Sequence, residues 1–488
     1  MGPIFCEKER VFLRRVAASI YANPFTQARY EADCRLTGLA GLAGDTDPDF
    51  VLKKAIQMVN SRVKALTGAG RAHLSVYDPG DRPALANLFL FFLFHKYLPL
   101  FDNHIRKQNR TTRCLDLDFG TKLEKEMAAF GFSARESNQY IALFFQMRRA
   151  FFFIHTSMIG NSPCMEELRA RLWNTLFTHD IRQYAQNLID KLEDFSTLLV
   201  GETGTGKGLA AAAIGRSGYI SYDNKTHRFT TSFTRAFLAI NLCQYPEQLI
   251  ESELFGHARG ASTGAVAEHQ GIFARSSRQG AVFLDEIGEI SIQTQIKLLR
   301  ILQERTFNPV GSHTSLRFQG RLIGATNQNL GRLIKEGKFR EDFYFRLCTD
   351  TISLPSLKKR IDQDPQELDL LVKHLVSKIA GTGATKLQDK VRTALHRPEN
   401  RGYDWPGNVR ELEQVIRRII LHGSCRLQKQ RKQQEEPGCA IFARQPTVAE
   451  LISHYCRLLY EKHNNFQAIA RITGLDRRTV KKYIEQGE

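Results

Sequence analysis

The stretch that decides the fold is TLLVGETGTGKG, which occupies residues 197–208. Its first four residues are apolar or β-branched and predict a strand, and the run LAAAAI at 209–214 predicts a helix. Glycines between a strand and a helix let the backbone curl until its N–H groups and the helix N-terminus face an anion. The spacing therefore predicts a loop that binds nucleotide phosphates, formed by Gly201, Glu202, Thr203, Gly204, Thr205, Gly206, Lys207 and Gly208.

Two further features indicate the chemistry of this loop. Lys207 would place a positive charge at the β- and γ-phosphates, whereas Gly208 stands where Ser or Thr usually ligates Mg²⁺. A second strand-like run at 281–284 ends at Asp285 and Glu286, and ligands bind where the carboxyl ends of parallel strands meet. We expect Asp285 to hold Mg²⁺ and Glu286 to polarise the attacking water, so the sequence predicts ATP hydrolysis with ATP and Mg²⁺ as cofactors.

The wider pattern is that of a multidomain α/β protein. Strand-like runs at 197–200, 281–284 and 321–324 alternate with helical stretches and predict a mostly parallel sheet flanked by helices. The N-terminal third has helical periodicity and is dense in Phe and Tyr. Such aromatic clusters favour a packed core or a self-association face over a ligand pocket.

Smaller segments complete this picture. Residues 218–233 hold Asp223-Asn224 between β-forming residues, which predicts an added hairpin. Asp116 and Asp118 form a bare pair that favours a loop over a phosphorylation site, and the N-terminal third shows no receiver pattern that would name its input signal.

A series of sequence blocks resembles the AAA+ core of bacterial enhancer-binding proteins, the sigma-54-dependent transcription activators. They follow one another from about residue 158 to 421 and read GETGTGKG (201–208), ESELFGHARGASTGA (251–265), GAVFLDEI (280–287), QIKLLRILQE (295–304), ATNQNL (325–330), GKFREDFYFRL (337–347) and WPGNVREL (405–412). The resemblance implies a P-loop AAA+ α/β sandwich with a helical lid. The expected division is a mainly helical regulatory or sensor region at 1–157, the ATPase core at 158–354, the lid at 355–423, a polar linker at 424–446 and a helix-turn-helix DNA-binding domain at 447–488.

The resemblance also implies roles for side chains near the nucleotide. Thr326 and Asn327 would sense the γ-phosphate, and Asn241 would hold the catalytic glutamate until that phosphate is sensed. In this family the residue after the P-loop lysine is commonly not Ser or Thr, so Gly208 is compatible with ATPase activity.

Three arginines have implied roles in phosphate recognition. Arg340 and Arg346 resemble arginine fingers that act on a neighbouring subunit's nucleotide, because a guanidinium stabilises spread phosphoryl charge; the alternative is surface charge on a basic helix. Arg410 resembles a lid arginine that acts in its own subunit. Fingers that act in trans require a ring, so we expect a homo-oligomer that ranges from a dimer to a nucleotide-dependent hexamer.

One loop departs from the family pattern. The family's GAFTGA loop, which contacts sigma-54, reads GASTGA here and comprises Gly260, Ala261, Ser262, Thr263, Gly264 and Ala265. Ser262 replaces the aromatic residue at the loop tip, so the apolar anchor is missing while two glycines still allow a sharp turn. The partner implied by the resemblance is sigma-54 RNA polymerase holoenzyme, and the alternative is a DNA-binding AAA+ regulator that acts independently of sigma-54.

The C-terminal segment has the spacing of a DNA-reading motif. A helix-forming run at 467–472 precedes a turn at Gly474 and a second run that Asp476 can cap. The exposed face of that second run is basic, and the predicted DNA-binding residues are Arg477, Arg478, Thr479, Lys481 and Lys482. The segment resembles the Fis-like domain of the same activators, which implies double-stranded DNA at an upstream, enhancer-like site; the alternative is a plain helical hairpin.

Composition agrees with a nucleic-acid partner in the cytoplasm. The 488 residues include 69 Lys and Arg against 51 Asp and Glu, which gives a net charge of +18. A charge of this size favours a polyanionic partner. Because the DNA-reading segment is present, we expect that partner to be DNA rather than a membrane surface. Nine cysteines are scattered singly, which is typical of a reducing compartment. The charged N-terminus does not resemble a signal peptide, and the apolar run at 88–94 is shorter than the ~20 residues of a membrane span.

Together these patterns predict a cytoplasmic bacterial transcriptional regulator. It would bind upstream DNA and use ATP hydrolysis in a ring to activate sigma-54 polymerase. A more remote alternative is a remodelling ATPase with an incidental helical tail.

Overall fold

The computed structural model describes residues 5–39, 46–189, 191, 194–261, 267–381, 383–427 and 447–485. The chain divides into two compact units. The first comprises Met1–Pro398 with Asp404–Cys425, and the second comprises Glu399–Tyr403 with Arg426–Glu488.

A five-stranded parallel sheet forms the centre of the first unit, with strand order β4-β5-β8-β1-β9. The nine strands in the described ranges are β1 Thr197–Val200, β2 Tyr222–Asp223, β3 Arg228–Phe229, β4 Phe237–Asn241, β5 Ala281–Asp285, β6 Thr306–Phe307, β7 Leu316–Arg317, β8 Arg321–Thr326 and β9 Asp350–Ser353. Every residue of β8 is buried, as expected for a strand covered on both faces. The predicted parallel sheet is confirmed.

Helices cover the sheet on both sides. Among the described residues, eight α-helices precede β1: α1 Glu7–Tyr21, α2 Gln27–Thr37, α3 Pro48–Gly68, α4 Arg82–Gln108, α5 Gly120–Ala129, α6 Ala134–Ser157, α7 Pro163–Phe177 and α8 Ile181–Gln183. The helices between strands are α9 Lys207–Gly215, α10 Phe233–Ala236, α11 Glu247–Phe255, α12 Ile272–Arg275, α13 Ile292–Glu304, α14 Leu330–Lys335 and α15 Glu341–Leu347. The helices in the predicted lid segment are α16 Leu357–Gln363, α17 Glu367–Ala380, α18 Thr385–Leu395 and α19 Asn408–His422.

The N-terminal helices share a hydrophobic core with the sheet. One cluster of buried residues includes Phe89, Phe101 and Phe145 from this region together with Phe283 and Ile323 from the central strands. Phe89, Phe101 and Phe145 are therefore core residues, as the sequence favours, and their burial joins the N-terminal region to the central sheet.

Helix α4 is, within the described ranges, the one helix long and apolar enough to cross a membrane by length and composition. In this fold it packs against α1, α3 and α6, and its residues Leu88, Phe89, Leu93 and Phe101 are buried. A core helix of a soluble protein passes the same test, so the hydropathy of α4 is explained by its packing.

The predicted hairpin is present as β2 and β3, which pair antiparallel within the insertion that follows α9. The N-terminal region extends this hairpin: Asp116 forms a β-bridge and an ion pair with Arg228, and Leu117 N–H donates to the His227 carbonyl over 2.9 Å. Asp116 and Asp118 lie in the connection between α4 and α5, as the sequence favours, and Asp116 forms an isolated bridge to the hairpin edge.

The described part of the second unit contains the helices α20 Val448–His463, α21 Phe466–Thr473 and α22 Arg477–Glu485. Gly474 adopts the left-handed conformation at φ 70°, which ends α21 and makes the predicted turn. The Asp476 carboxylate accepts from the Arg478 N–H over 2.8 Å at the start of α22. Cys456, Ile469 and Val480 form the small buried core of this unit.

This small core makes one stability prediction. Ile469→Ala should cost about 2–5 kcal/mol because it leaves a cavity, whereas a unit of this size is stable by only about 2–6 kcal/mol. We expect hydrogen exchange across residues 447–485 to rise sharply while the exchange of β1 and β8 stays unchanged.

Ile472→Ala is the matched control, because Ile472 lies on the same helix and is 49% exposed. Equal effects of the two substitutions would contradict the assignment of Ile469 to the core.

Candidate nucleotide-binding site

The predicted phosphate loop connects β1 to α9. Gly204 and Gly206 have φ angles of 82° and 102°, which L side chains rarely adopt. α9 begins at Lys207, so the helix N-terminus opens onto the loop. The Lys207 ammonium donates to the carbonyls of Gly201 over 2.8 Å and Glu202 over 3.2 Å. Burial lowers the pKa of Lys207, whereas the nearby Glu286 and Asp285 raise it.

The two predicted carboxylates lie at the same edge of the sheet. Asp285 ends β5 and pairs in register with Asn241 at the end of β4. Glu286 has a φ of 56°, and a left-handed conformation costs a non-glycine residue about 1–3 kcal/mol. Strain of this kind is typical of functional sites, because the surrounding structure holds a side chain where chemistry requires it.

The structure brings most of the predicted nucleotide-sensing residues together. Asn327 donates its side-chain N–H to the Thr203 hydroxyl over 3.0 Å and its backbone N–H to the Glu286 carboxylate over 3.4 Å. Thr326 is fully buried at the end of β8, and its hydroxyl accepts from the Gln328 N–H over 3.0 Å. Asn327 therefore links the phosphate loop to the carboxylate edge.

Asn241 is placed differently from its implied partner. Its side-chain N–H lies 3.5 Å from the Asp285 carboxylate, and its side-chain oxygen accepts from the Cys243 N–H over 3.0 Å. The expected contact was with Glu286, which instead accepts from the Asn327 backbone. The role of Asn241 in holding Glu286 stays a prediction.

The lid is bonded directly to the phosphate loop through Asn408, a residue that the sequence analysis did not select. Its side-chain N–H donates to the Glu202 carboxylate over 3.0 Å and to the Thr203 carbonyl over 3.1 Å, and its oxygen accepts from the Leu357 N–H over 2.7 Å. A Cβ on Gly204 would lie 2.2 Å from the Gly407 carbonyl oxygen, so glycine is required there. The sequence signal that could have identified Asn408 was its position two residues before Arg410 in the WPGNVREL block.

A cavity of about 430 Å³ lies between the loop and the lid. Its polar lining includes Lys207, Asp285, Glu286 and Arg410. Its apolar lining includes Met158, Ile159, Met165, Leu371 and Leu375, which the sequence analysis did not identify. A cavity of this size with a cationic end and an apolar wall fits a nucleotide, with phosphates at the loop and the base against the apolar residues.

A buried ion pair holds part of that apolar wall. Arg360 and Glu367 are almost fully buried and lie 3.1 Å apart. Arg360 donates to the Ile159 carbonyl over 2.6 Å, and Glu367 accepts from the Asn161 N–H over 3.1 Å and the Ser162 hydroxyl over 2.7 Å. The lid thereby fixes the segment that carries Met158 and Ile159 to the cavity.

The predicted arginine fingers do not line this cavity. Arg340 makes two hydrogen bonds to Asp342, of 3.0 Å and 2.7 Å, and Arg346 donates to the Leu302 carbonyl over 3.3 Å. Phe345, between them in sequence, is 69% exposed. In this chain the two arginines are therefore separate from its own candidate site.

The GASTGA loop has a defined base. His257 and His269 exchange backbone hydrogen bonds of 3.0 Å in an antiparallel bridge, so the two residues that flank the loop lie side by side. Gly260 has a φ of 82°, and the predicted contact residues Ser262, Thr263, Gly264 and Ala265 lie outside the described residues.

The donor set fits Mg²⁺. Within the described ranges there is no group of three or more His, Cys, Asp or Glu side chains that could cage a metal. Mg²⁺ is usually held by one or two carboxylates together with substrate phosphates and water, and Asp285 and Glu286 line the cavity beside the phosphate loop.

Comparisons with known proteins place this core. Residues 175–353 match the sigma-54 interaction domain, and residues 364–430 match the AAA+ ATPase lid domain. The central part of the chain is therefore a sigma-54 interaction domain followed by an AAA+ ATPase lid domain. The P-loop α/β fold with a helical lid agrees with both matches.

Curated relatives match the same core. The DNA-binding transcriptional regulator NtrC of Azospirillum brasilense is 37% identical over 54% of this chain and 47% of its own length. Regulatory protein AtoC of Escherichia coli K12 is 39% identical over 48% of this chain and 46% of its own. The chain thus spans about half the length of these relatives. A solved structure of NtrX from Brucella abortus with ATP is 21% identical, with a TM-score of 0.40, over 73% of this chain and 76% of that one.

The site makes a direct binding prediction. Lys207→Ala removes the cation from the phosphate loop, and because hydrogen bonds to charged groups contribute about 1.5–3 kcal/mol, nucleotide affinity should fall by roughly 10- to 100-fold. Titration with a fluorescent ATP analogue measures the change. Lys335→Ala, on the exposed surface of α14, is the control and should bind normally; normal binding by Lys207→Ala would contradict the site.

Proposed function

We propose that the chain is an ATP-driven activator of sigma-54 RNA polymerase. The observation that carries the proposal is that the segment matching the sigma-54 interaction domain also builds the candidate nucleotide site, where Lys207, Asp285 and Glu286 line one cavity. The fold alone would leave the target open, because AAA+ proteins act on many substrates. The match to a target-specific domain favours sigma-54.

The proposed reaction is hydrolysis of ATP to ADP and phosphate. The phosphates bind the N–H groups of the loop and the Lys207 ammonium, with the base against Met158 and Ile159. Mg²⁺, when bound, neutralises charge on the phosphates, and Asp285 is the residue that would hold it. Glu286 orients a water and accepts its proton as the water oxygen bonds to the γ-phosphorus and the bond to the β–γ bridging oxygen breaks.

A ring supplies the remaining groups in this proposal. Arg340 and Arg346 lie away from the cavity of their own chain, which supports action on the nucleotide of a neighbouring copy. Arg410 lines the cavity in cis. We therefore infer a homo-oligomeric ring, a hexamer when nucleotide is bound, in which each site is complete only with its neighbour.

Two further parts connect hydrolysis to transcription. The loop that begins and ends at the His257–His269 bridge would move with the nucleotide state and contact sigma-54. In the second unit, Arg477, Arg478 and Lys482 are exposed on α22, which supports binding to double-stranded DNA at an upstream site. The inferred location is the bacterial cytoplasm.

The catalytic step can be separated from binding. Glu286→Gln keeps the size of the side chain and a hydrogen-bond acceptor but removes the base, so ATP should still bind while hydrolysis falls roughly 100- to 10,000-fold. Phosphate release and ATP binding are measured on the same preparation.

Glu289→Gln is the control, because Glu289 lies three residues further on, bonds to Gln328 and does not line the cavity. Normal hydrolysis by Glu286→Gln would show that another group is the base.

Open-complex formation in vitro tests the target. With ATP, we expect open complexes with sigma-54 polymerase and none with sigma-70 polymerase.

Ser262→Phe restores an aromatic side chain at the loop tip and should increase capture of sigma-54 polymerase, whereas Ser262→Ala should not. Activity that does not depend on sigma-54 would overturn the proposal and favour the alternative of a sigma-54-independent DNA-binding regulator.

A further inference from the structure

Arg149 connects the N-terminal region to the phosphate-loop helix. It lies in α6 and is fully buried, and its two terminal nitrogens donate to the carbonyls of Arg216 over 2.6 Å and Gly218 over 2.7 Å. Both carbonyls lie just after the end of α9. Within the described ranges no carboxylate lies within ion-pair distance of Arg149, and its Nε has no hydrogen-bond partner.

Aromatic rings from both regions enclose this guanidinium. Its central carbon lies 4.4 Å from the centre of the Phe145 ring and 5.7 Å from that of Phe233, so one ring comes from the N-terminal region and the other from the ATPase core. Burial lowers the pKa of Arg149 to about 9. Because this pKa is still above neutral pH, the guanidinium is cationic there. Cation–π contacts of this kind strengthen when water is excluded.

The location of the cation has a physical reason. The C-terminal end of a helix has carbonyls without intrahelical partners and carries the negative end of the helix dipole. A buried cation is therefore stabilised there. α9 has nine residues, and at 1.5 Å per residue it is roughly 13 Å long. Its other end is Lys207 in the phosphate loop, so a displacement of its C-terminal end is transmitted to the residues that face the phosphates.

The N-terminal region also holds the segment that follows α9. Tyr222 in the hairpin donates its hydroxyl to the Glu124 carboxylate over 2.6 Å, and the Phe229 ring stacks on Phe145 with ring centres 3.9 Å apart. Asp116 forms an ion pair with Arg228, which lies beside Phe229 on β3. The N-terminal region therefore holds the segment after α9 at several points. Arg149 donates to the two carbonyls that follow α9, and the Arg216 side chain donates to Asn109 over 3.4 Å.

We propose that Arg149 is a positioning residue of the nucleotide site, through which the N-terminal region sets the affinity of the ATPase for nucleotide. The inference rests on the proposed nucleotide binding at the phosphate loop. A signal that shifts α6 changes the position of α9 and thus the fit of the loop to phosphates. Because coupling free energy is reciprocal, nucleotide binding also tightens the docking of the N-terminal region.

The first test compares neighbouring arginines in the full-length chain. Arg149→Met retains an unbranched stem but replaces the guanidinium, so both hydrogen-bond donors are lost. The dissociation constant for ADP should rise by about fivefold or more, while kcat at saturating ATP stays near normal. Arg149→Lys keeps a cation and should recover part of the affinity. Arg148→Met is the matched control, because Arg148 pairs with Asp102 and stacks on Phe151, both within the N-terminal region.

Two results would overturn the inference: wild-type ADP affinity in Arg149→Met, or equal losses in Arg149→Met and Arg148→Met. The split between binding and kcat separates positioning of the loop from general damage to the fold.

The second test uses the unmodified protein and so does not depend on a variant that folds. Hydrogen exchange with and without ADP should show slower exchange at the phosphate loop and also across 134–157 and 218–233, whereas 447–485 stays unchanged. Slowing at the phosphate loop alone would refute the coupling and leave the nucleotide site intact. No slowing anywhere would mean that ADP does not bind, and the proposed function would fail with it.

Discussion

The parallel pairing of β1 between β8 and β9 is the constraint on which the candidate site depends. Val200 lies opposite Thr326 on one side and Ser353 on the other, so the phosphate loop leaves the sheet between two strands that end at the same level. Because all five strands run in the same direction, their carboxyl ends open on one edge. The loop, the carboxylates of β5 and the end of β8 are consequently neighbours although they are far apart in sequence.

Much of this edge could be predicted from local sequence. A strand followed by a glycine-rich loop and a helix has few alternative structures, and Asp285 and Glu286 follow a run of apolar residues that forms a strand as expected. The turn at Gly474 was also visible, because glycine readily adopts the left-handed conformation required there. In these places the local preference and the final fold agree.

The rest depends on contacts between distant segments, which local patterns do not encode. Asn241 faces Asp285 because β4 and β5 pair in register. Only the folded structure shows that the Glu286 carboxylate accepts from the Asn327 backbone N–H. The role of Asn408 requires the lid to be folded onto the loop. Arg149 sits in an unremarkable helical sequence, and its importance is apparent only when its carbonyl partners 67 and 69 residues away are known.

The shared core has a consequence for how the chain can be divided. A fragment that begins at residue 158 would keep every residue of the phosphate loop, but it would expose Phe229 and Phe233 to water and leave the Arg216 and Gly218 carbonyls without their donor. Exposed aromatic surface of this kind promotes aggregation. A change in side-chain volume on either side of this interface therefore has to be matched on the other side to keep the shared core close-packed.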